Sequence, residues 1–177
     1  MAPPARIFIL DRSGSMETIR DDTIGGYNAF IESQKQFGGT MTLILFDHEY
    51  NEMYSQKPIG DVEPLTTETF VPRGSTALLD AIGKTLKRFT EPSTCIILTD
   101  GHENSSTEYT KAHIKDLVEH ATKAGWDFTY LGANQDAFQV ANDMGIRSDC
   151  TVNFDARKTP EVFRTLSQTM SSRVASN

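Results

Sequence analysis

Short apolar runs alternate along this chain with longer stretches of helical period. "RIFIL" (6–10) is a continuous run of strand length, the pattern of a strand covered on both faces. Between residues 18 and 37, Ile19, Ile24, Tyr27, Phe30, Ile31 and Phe37 recur at roughly helical spacing, and Gly38-Gly39 closes the element. "TMTLILFD" (40–47) predicts a second central strand, and "NEMYSQ" (51–56) alternates as an antiparallel edge strand would. A polar loop with Pro58, Gly60 and Pro64 follows. Residues 76–89, with Leu78, Leu79, Ile82, Leu86 and Phe89 on one side, predict an amphipathic helix. "TCIILTDG" (94–101) reads as a third buried strand, and a helix over 110–124 carries Ile114, Leu117, Val118 and Ala121 on one face before Gly125. A strand over 126–133, a short helix over 136–144 and a last strand over 150–154 come next. Thr159-Pro160 then reads as the N-cap and first residue of a helix bearing Val162, Phe163, Leu166 and Met170.

Strands that alternate with helices imply right-handed crossovers and a mostly parallel sheet with helices on both faces. The expected class is α/β, doubly wound. No repeat, linker or low-complexity stretch interrupts it, so a single domain is expected over 1–177, with a folded core over 5–174 and short tails.

Charge and cysteine usage narrow the field. The net charge of −7 argues against a nucleic-acid or anionic-membrane partner. The cations of the last stretch, Arg157, Lys158, Arg164 and Arg173, are dispersed and fit a solvated helix face. The N-terminal apolar run stops at Asp11, too early for a signal peptide or a membrane span. Cys95 and Cys150 lack CxxC spacing and fit reduced thiols of a cytoplasmic protein. The histidines show no ligand spacing except His102, beside the acidic residues of "TDGHEN".

Candidate chemistry gathers where strands end. Asp11, Ser13 and Ser15 in "DRSGSM" follow the first strand, and Asp100 follows the strand at 94–99. Ligands of an open parallel sheet bind at the carboxyl ends of its strands. "RGSTALLD" (73–80) brings Ser75 and Thr76 to the same rim. Two carboxylates and several hydroxyls, without imidazole or thiol, suit a hard divalent cation such as Mg²⁺. The plainer alternative is helix capping by Ser13, Ser15 or Thr76. Other chemistries fail on detail. "IGKTL" lacks the glycine that a phosphate loop needs five positions before Gly83, where Leu78 stands. Ser13 and Ser15 lack a GxSxG elbow. A phospho-accepting Asp11 would want a carboxylate where Ser13 stands.

"DRSGSM", "GSTALLDAI" and "ILTDG" together resemble the three segments of the metal-ion-dependent adhesion site of von Willebrand factor type A domains. The DxSxS pattern matches at Asp11, Ser13 and Ser15, the lone threonine at Thr76 and the later aspartate at Asp100. The small chain and "TYLGANQDAFQVANDMGI" (129–146) look more like stand-alone bacterial or bacteriophage members than integrin or matrix domains. The resemblance implies a Rossmann-like three-layer α/β/α fold: a mostly parallel six-stranded sheet with one antiparallel edge strand. It implies that Ser13, Ser15 and Thr76 contact Mg²⁺ (or Mn²⁺ or Ca²⁺), with Asp11 and Asp100 acting directly or through water. It also implies a binding module rather than an enzyme, whose protein partner presents an Asp or Glu to the metal. Arg12, Met16, Arg73, His102, Glu103, Asn104 and Tyr109 are expected to border the contact surface, with Met16 and Tyr109 as its apolar part. The competing expectation is a Mg²⁺-dependent hydrolase of phosphate esters that uses Arg12 and Arg73 as a phosphate clamp.

Overall fold

The apolar runs become the strands of one six-stranded sheet: β1 (Ala5–Asp11), β2 (Thr40–Phe46), β3 (Tyr50–Pro58), β4 (Thr94–Thr99), β5 (Asp127–Ala133) and β6 (Thr151–Phe154). The structure is a computed structural model describing residues 3–100, 102–133 and 136–176. Gly101 of the "ILTDG" motif and residues 134–135 of the 129–146 stretch lie outside the described residues. The strand order is β3-β2-β1-β4-β5-β6, parallel throughout except for β3, which pairs antiparallel with β2 at one edge. This is the expected class. Register breaks twice along the β2–β3 ladder, and Gln56 takes a φ of 50° beside it. The opposite edge, β6, is four residues long.

Alternation along each central strand feeds two cores. Phe8, Leu10, Leu43, Leu45, Ile96 and Leu98 face helices α1 (Arg20–Gln34) and α5 (Thr159–Ser176). Ile7, Ile9, Ile44, Phe46, Cys95 and Ile97 face α2 (Leu78–Arg88), α3 (Lys111–Lys123) and α4 (Ala137–Asp143). Such two-sided burial is why these strands read as unbroken apolar runs. Cys95 and Cys150 are free thiols. Among the described residues no helix is long and apolar enough to cross a membrane.

Of the boundaries that differ from expectation, three change how the chain runs. The chain leaving β1 first turns over the sheet end as a 3₁₀ helix, Gly14–Ile19, which sinks Met16 and Ile19 into the core before α1 begins. The strand expected over 94–101 stops at Thr99, so Asp100 stands free of the ladder. Thr159 is not an N-cap. Asp155 caps a 3₁₀ turn over Ala156–Lys158 that runs directly into α5, and the Thr159 hydroxyl donates back to the Ala156 carbonyl.

Helices α1 and α5 touch closely because Gly26 leaves room for the Phe163 ring, which a Cβ at position 26 would overlap. Gly25, one residue earlier, faces open space. Glycine inside a helix costs about 1 kcal/mol relative to alanine. Gly25→Ala should therefore stabilise the protein by about 0.5–1 kcal/mol. Gly26→Ala should destabilise it by about 1–3 kcal/mol, because the overpacked ring must move. Urea titration of the two variants checks the opposite signs.

Candidate metal centre

The order β2-β1-β4 reverses direction at β1, so the crevice above β1 and β4 is the switch point of the sheet. Asp11 ends β1, and Asp100 follows β4. Asp11 is fully buried; its Oδ1 accepts from the Ser13 backbone N–H at 2.6 Å and its Oδ2 from the Thr99 hydroxyl at 2.6 Å. The Ser15 hydroxyl donates to Asp100 Oδ1 at 2.8 Å, and the Ser13 and Ser15 hydroxyl oxygens lie 3.4 Å apart. Asp11, Ser13, Ser15 and Asp100 thus form one connected cluster.

Thr76 enters from the neighbouring loop, and backbone hydrogen bonds lace that loop to the first. The Gly14 N–H donates to the Gly74 carbonyl at 3.0 Å, Arg73 N–H to the Arg12 carbonyl at 2.8 Å, and Arg12 N–H to the Phe46 carbonyl at 2.7 Å. Gly74 makes the turn possible with a φ of 70°, and a Cβ there would strike the His48 ring. Asn104 fixes Thr76 from the third loop. Its side-chain oxygen accepts from the Thr76 N–H at 2.8 Å, and its own N–H returns a bond to the Thr76 carbonyl at 2.9 Å.

Capping does not account for these hydroxyls. Ser13 precedes the 3₁₀ helix but makes no side-chain cap bond. Helix α2 begins two residues after Thr76, and its free N–H groups are served by others: Leu79 donates to Glu103 Oε1 at 3.0 Å and Asp80 to the Ser106 hydroxyl at 3.0 Å. Among the described residues no side chain or backbone group is hydrogen-bonded to the Thr76 hydroxyl, although Thr76 is buried.

Burial is the chief cause that pushes the Asp11 carboxyl up to about 6; its hydrogen bonds oppose the shift and the nearby Asp100 charge adds to it. Burial also raises Asp100. A divalent cation would supply the positive charge that these carboxylates lack. The donors fit it: carboxylate and hydroxyl oxygen, a hard set for Mg²⁺, Mn²⁺ or Ca²⁺. Among the described residues no group of three or more His, Cys, Asp or Glu side chains is placed to hold a metal, so hydroxyls would have to complete the shell.

The expected contact border changes in detail. Met16 is 0% exposed and Tyr109 8%, so neither supplies an apolar surface. Met16 is sunk by the 3₁₀ turn, and Tyr109 packs into the space left by Gly83. Arg12 is buried, with its Nε 3.3 Å from Asp47 Oδ2. Glu103 turns inward to α2 and to the N–H groups of Ser105 and Ser106. Arg73, His102 and Asn104 remain exposed. Arg73 is ion-paired to Asp47 Oδ2 at 2.8 Å and Glu49 Oε2 at 3.0 Å. Both arginines of the supposed phosphate clamp are therefore already engaged by carboxylates.

Three residues that matter here had no role in the sequence reading. Thr99 lies opposite Asp11 once the register Leu10↔Leu98 is extended by one residue. Asp47, fully buried, directly follows β2 as Asp11 closes β1, and the aspartate after an apolar run was the available signal. Asp80 accepts from the N–H groups of Thr107, Glu108 and Tyr109, holding the third loop against α2.

By sequence, no protein-family model and no curated protein matches this chain. Solved structures do match in shape. The von Willebrand factor domain of the type V pili tip protein Mfa5 from Porphyromonas gingivalis superposes with a TM-score of 0.70, at 11% identity over 98% of this chain and 97% of that one. A von Willebrand factor type A structure from Catenulispora acidiphila gives 0.61, at 15% identity over 94% and 42% of the two chains. The chain has the von Willebrand factor type A fold. Proximal thread matrix protein 1 from the mussel byssus, solved with zinc in its metal-ion-dependent adhesion site, gives 0.67 at 15% identity, over 96% and 46% of the two chains. The chain spans less than half the length of the Catenulispora and mussel chains. At such identities the likeness carries the fold.

The raised Asp11 pKa sets a pH dependence. An acid that binds its proton more tightly when folded stabilises the protein below its unfolded value of about 3.9, and this is lost as pH rises through the folded value. With Asp11 at about 6, the metal-free protein should gain stability from this group on acidification from pH 7 to 5, and Asp11→Asn should flatten that gain. Thermal melts in chelator across this range check it. Asn104→Ala should weaken Mg²⁺ binding about fivefold, the equivalent of one net hydrogen bond of about 1 kcal/mol, through Thr76. Calorimetry on the chelated variant measures it.

Proposed function

We propose that this chain is a divalent-cation-dependent binding module. Asp11, Ser13, Ser15, Thr76 and Asp100 would hold Mg²⁺, or Mn²⁺ or Ca²⁺ in its place, and an Asp or Glu of a protein partner would complete the site. The observation that carries this is the meeting of oxygen donors at the switch point, where the largely buried Thr76 presents a hydroxyl that no cap uses. Two carboxylates neutralise a divalent ion, and hydroxyls add ligands without adding charge. A third carboxylate arriving from outside is then attracted. A site with three or four acidic ligands of its own would repel it.

Binding rather than catalysis also fits the surroundings. Arg12 and Arg73, which a phosphoryl-transfer site would aim at its substrate, are held by Asp47 and Glu49. The zinc-occupied adhesion site of the mussel protein supports metal binding on this fold. The two free thiols suit a reducing compartment.

Titrating chelated protein with Mg²⁺ and Mn²⁺ in a calorimeter should give one site per chain, abolished by Asp11→Ala together with Asp100→Ala. The chelated protein should still melt cooperatively, because both cores are built without metal. Metal at a hundredfold excess over its dissociation constant should add about 2.7 kcal/mol. Heat unchanged by the double variant would refute the site.

A further inference from the structure

Beside the candidate metal centre lies a small cleft with an apolar floor. Leu78 and Leu79 from the first turn of α2 and Val140 and Met144 from α4 line it, and His102, Glu103 and Lys111 border it. Its volume is about 140 Å³. An enclosed apolar cavity of about 150 Å³ accepts benzene, so a volume of this size is room for one aliphatic or small aromatic side chain.

The cleft adjoins the metal centre along two chain segments. Leu78 follows Thr76 by two residues, and His102 follows Asp100 by two. The polar groups near it are largely committed elsewhere. Glu103 accepts from Leu79, Ser105 and Ser106, while the Lys111 Nζ stands 4.0 Å from Asp143. Lys111 and His102 remain at the solvent-facing border, while Leu78, Leu79, Val140 and Met144 form the floor. An extended partner segment that offered a carboxylate at Asp11 and Asp100 would have to pass this opening or leave in the other direction. On the other side, Arg12 and Arg73 pair with Asp47 and Glu49, a charge-balanced polar group that offers no apolar surface.

We infer that this cleft is a specificity pocket for the proposed binding module: it takes an apolar side chain, of valine to phenylalanine size, from the segment that supplies the carboxylate. The partner motif is thus an acidic residue with an apolar residue a few positions away. This rests on the metal-dependent reading above, and the experiment separates the two.

A displayed library of random peptides with one fixed Asp is selected on the full chain in Mg²⁺ and eluted with EDTA. Recovered peptides should carry an apolar residue at a constant offset from the Asp. Replacing that residue by Ser should weaken binding about tenfold or more, the scale of burying one such side chain. Val140 sits half-buried on α4, so Val140→Trp should fill the cleft and erase the preference while Mg²⁺ titration and melting stay as in the wild type. Should Trp perturb folding, Val140→Met serves as the milder filler. EDTA-sensitive peptides with no apolar preference, or with one that both fillers leave intact, overturn the pocket and leave the carboxylate reading standing. Failure to recover any EDTA-sensitive peptide overturns both.

Discussion

A carboxylate without water must find donors or a cation, and Asp11 is such a carboxylate. It stands at the end of the central strand, flanked on both sides by strands that share its register, and one hydroxyl and one N–H serve its two oxygens. Those bonds leave its charge only partly compensated, which is why its proton affinity rises. The surrounding construction follows from this. The chain must turn tightly after Asp11 to bring the Ser13 N–H back onto it, and the turn that does so displays Ser15 toward Asp100 while burying Met16.

Carboxylates on this rim divide into two kinds. Asp47, Asp80 and Glu103 each take several partners and fix loops: two guanidiniums for Asp47, three N–H groups for Asp80, a helix end and two N–H groups for Glu103. Asp11 and Asp100 have fewer partners and a raised proton affinity. Saturated anions organise the rim and unsaturated ones remain available for a cation. The same division bears on the proposed binding role, because the arginines that a phosphate clamp would use are paired on the saturated side.

The mostly parallel sheet with one antiparallel edge, and the gathering of polar oxygens at strand ends, were legible because they leave periodic or positional marks: unbroken apolar runs for covered strands, and Asp11 and Asp100 where such runs stop. The contact border was less legible. Met16 and Tyr109 were expected as the apolar part of that border, but a 3₁₀ turn and the gap at Gly83 carried them inward, and neither leaves a period in the sequence. Glu103 was expected on the border with His102, yet the α2 N-terminus, which has no side-chain cap of its own, draws it in. Contacts across loops distant in the chain, such as Arg73 to Asp47, have no local signature.

Both margins of the sheet discourage a further strand. On one side β3 is broken out of register with its neighbour, twisted at Gln56 and ended by Pro58; on the other, β6 offers four residues and no more. A protein with exposed, even edges adheres to its own copies through the backbone, indifferent to sequence and hard to reverse. Here adhesion through the backbone is closed off. The contact proposed above would instead depend on one ion, and removing that ion would release a partner without disturbing a single strand.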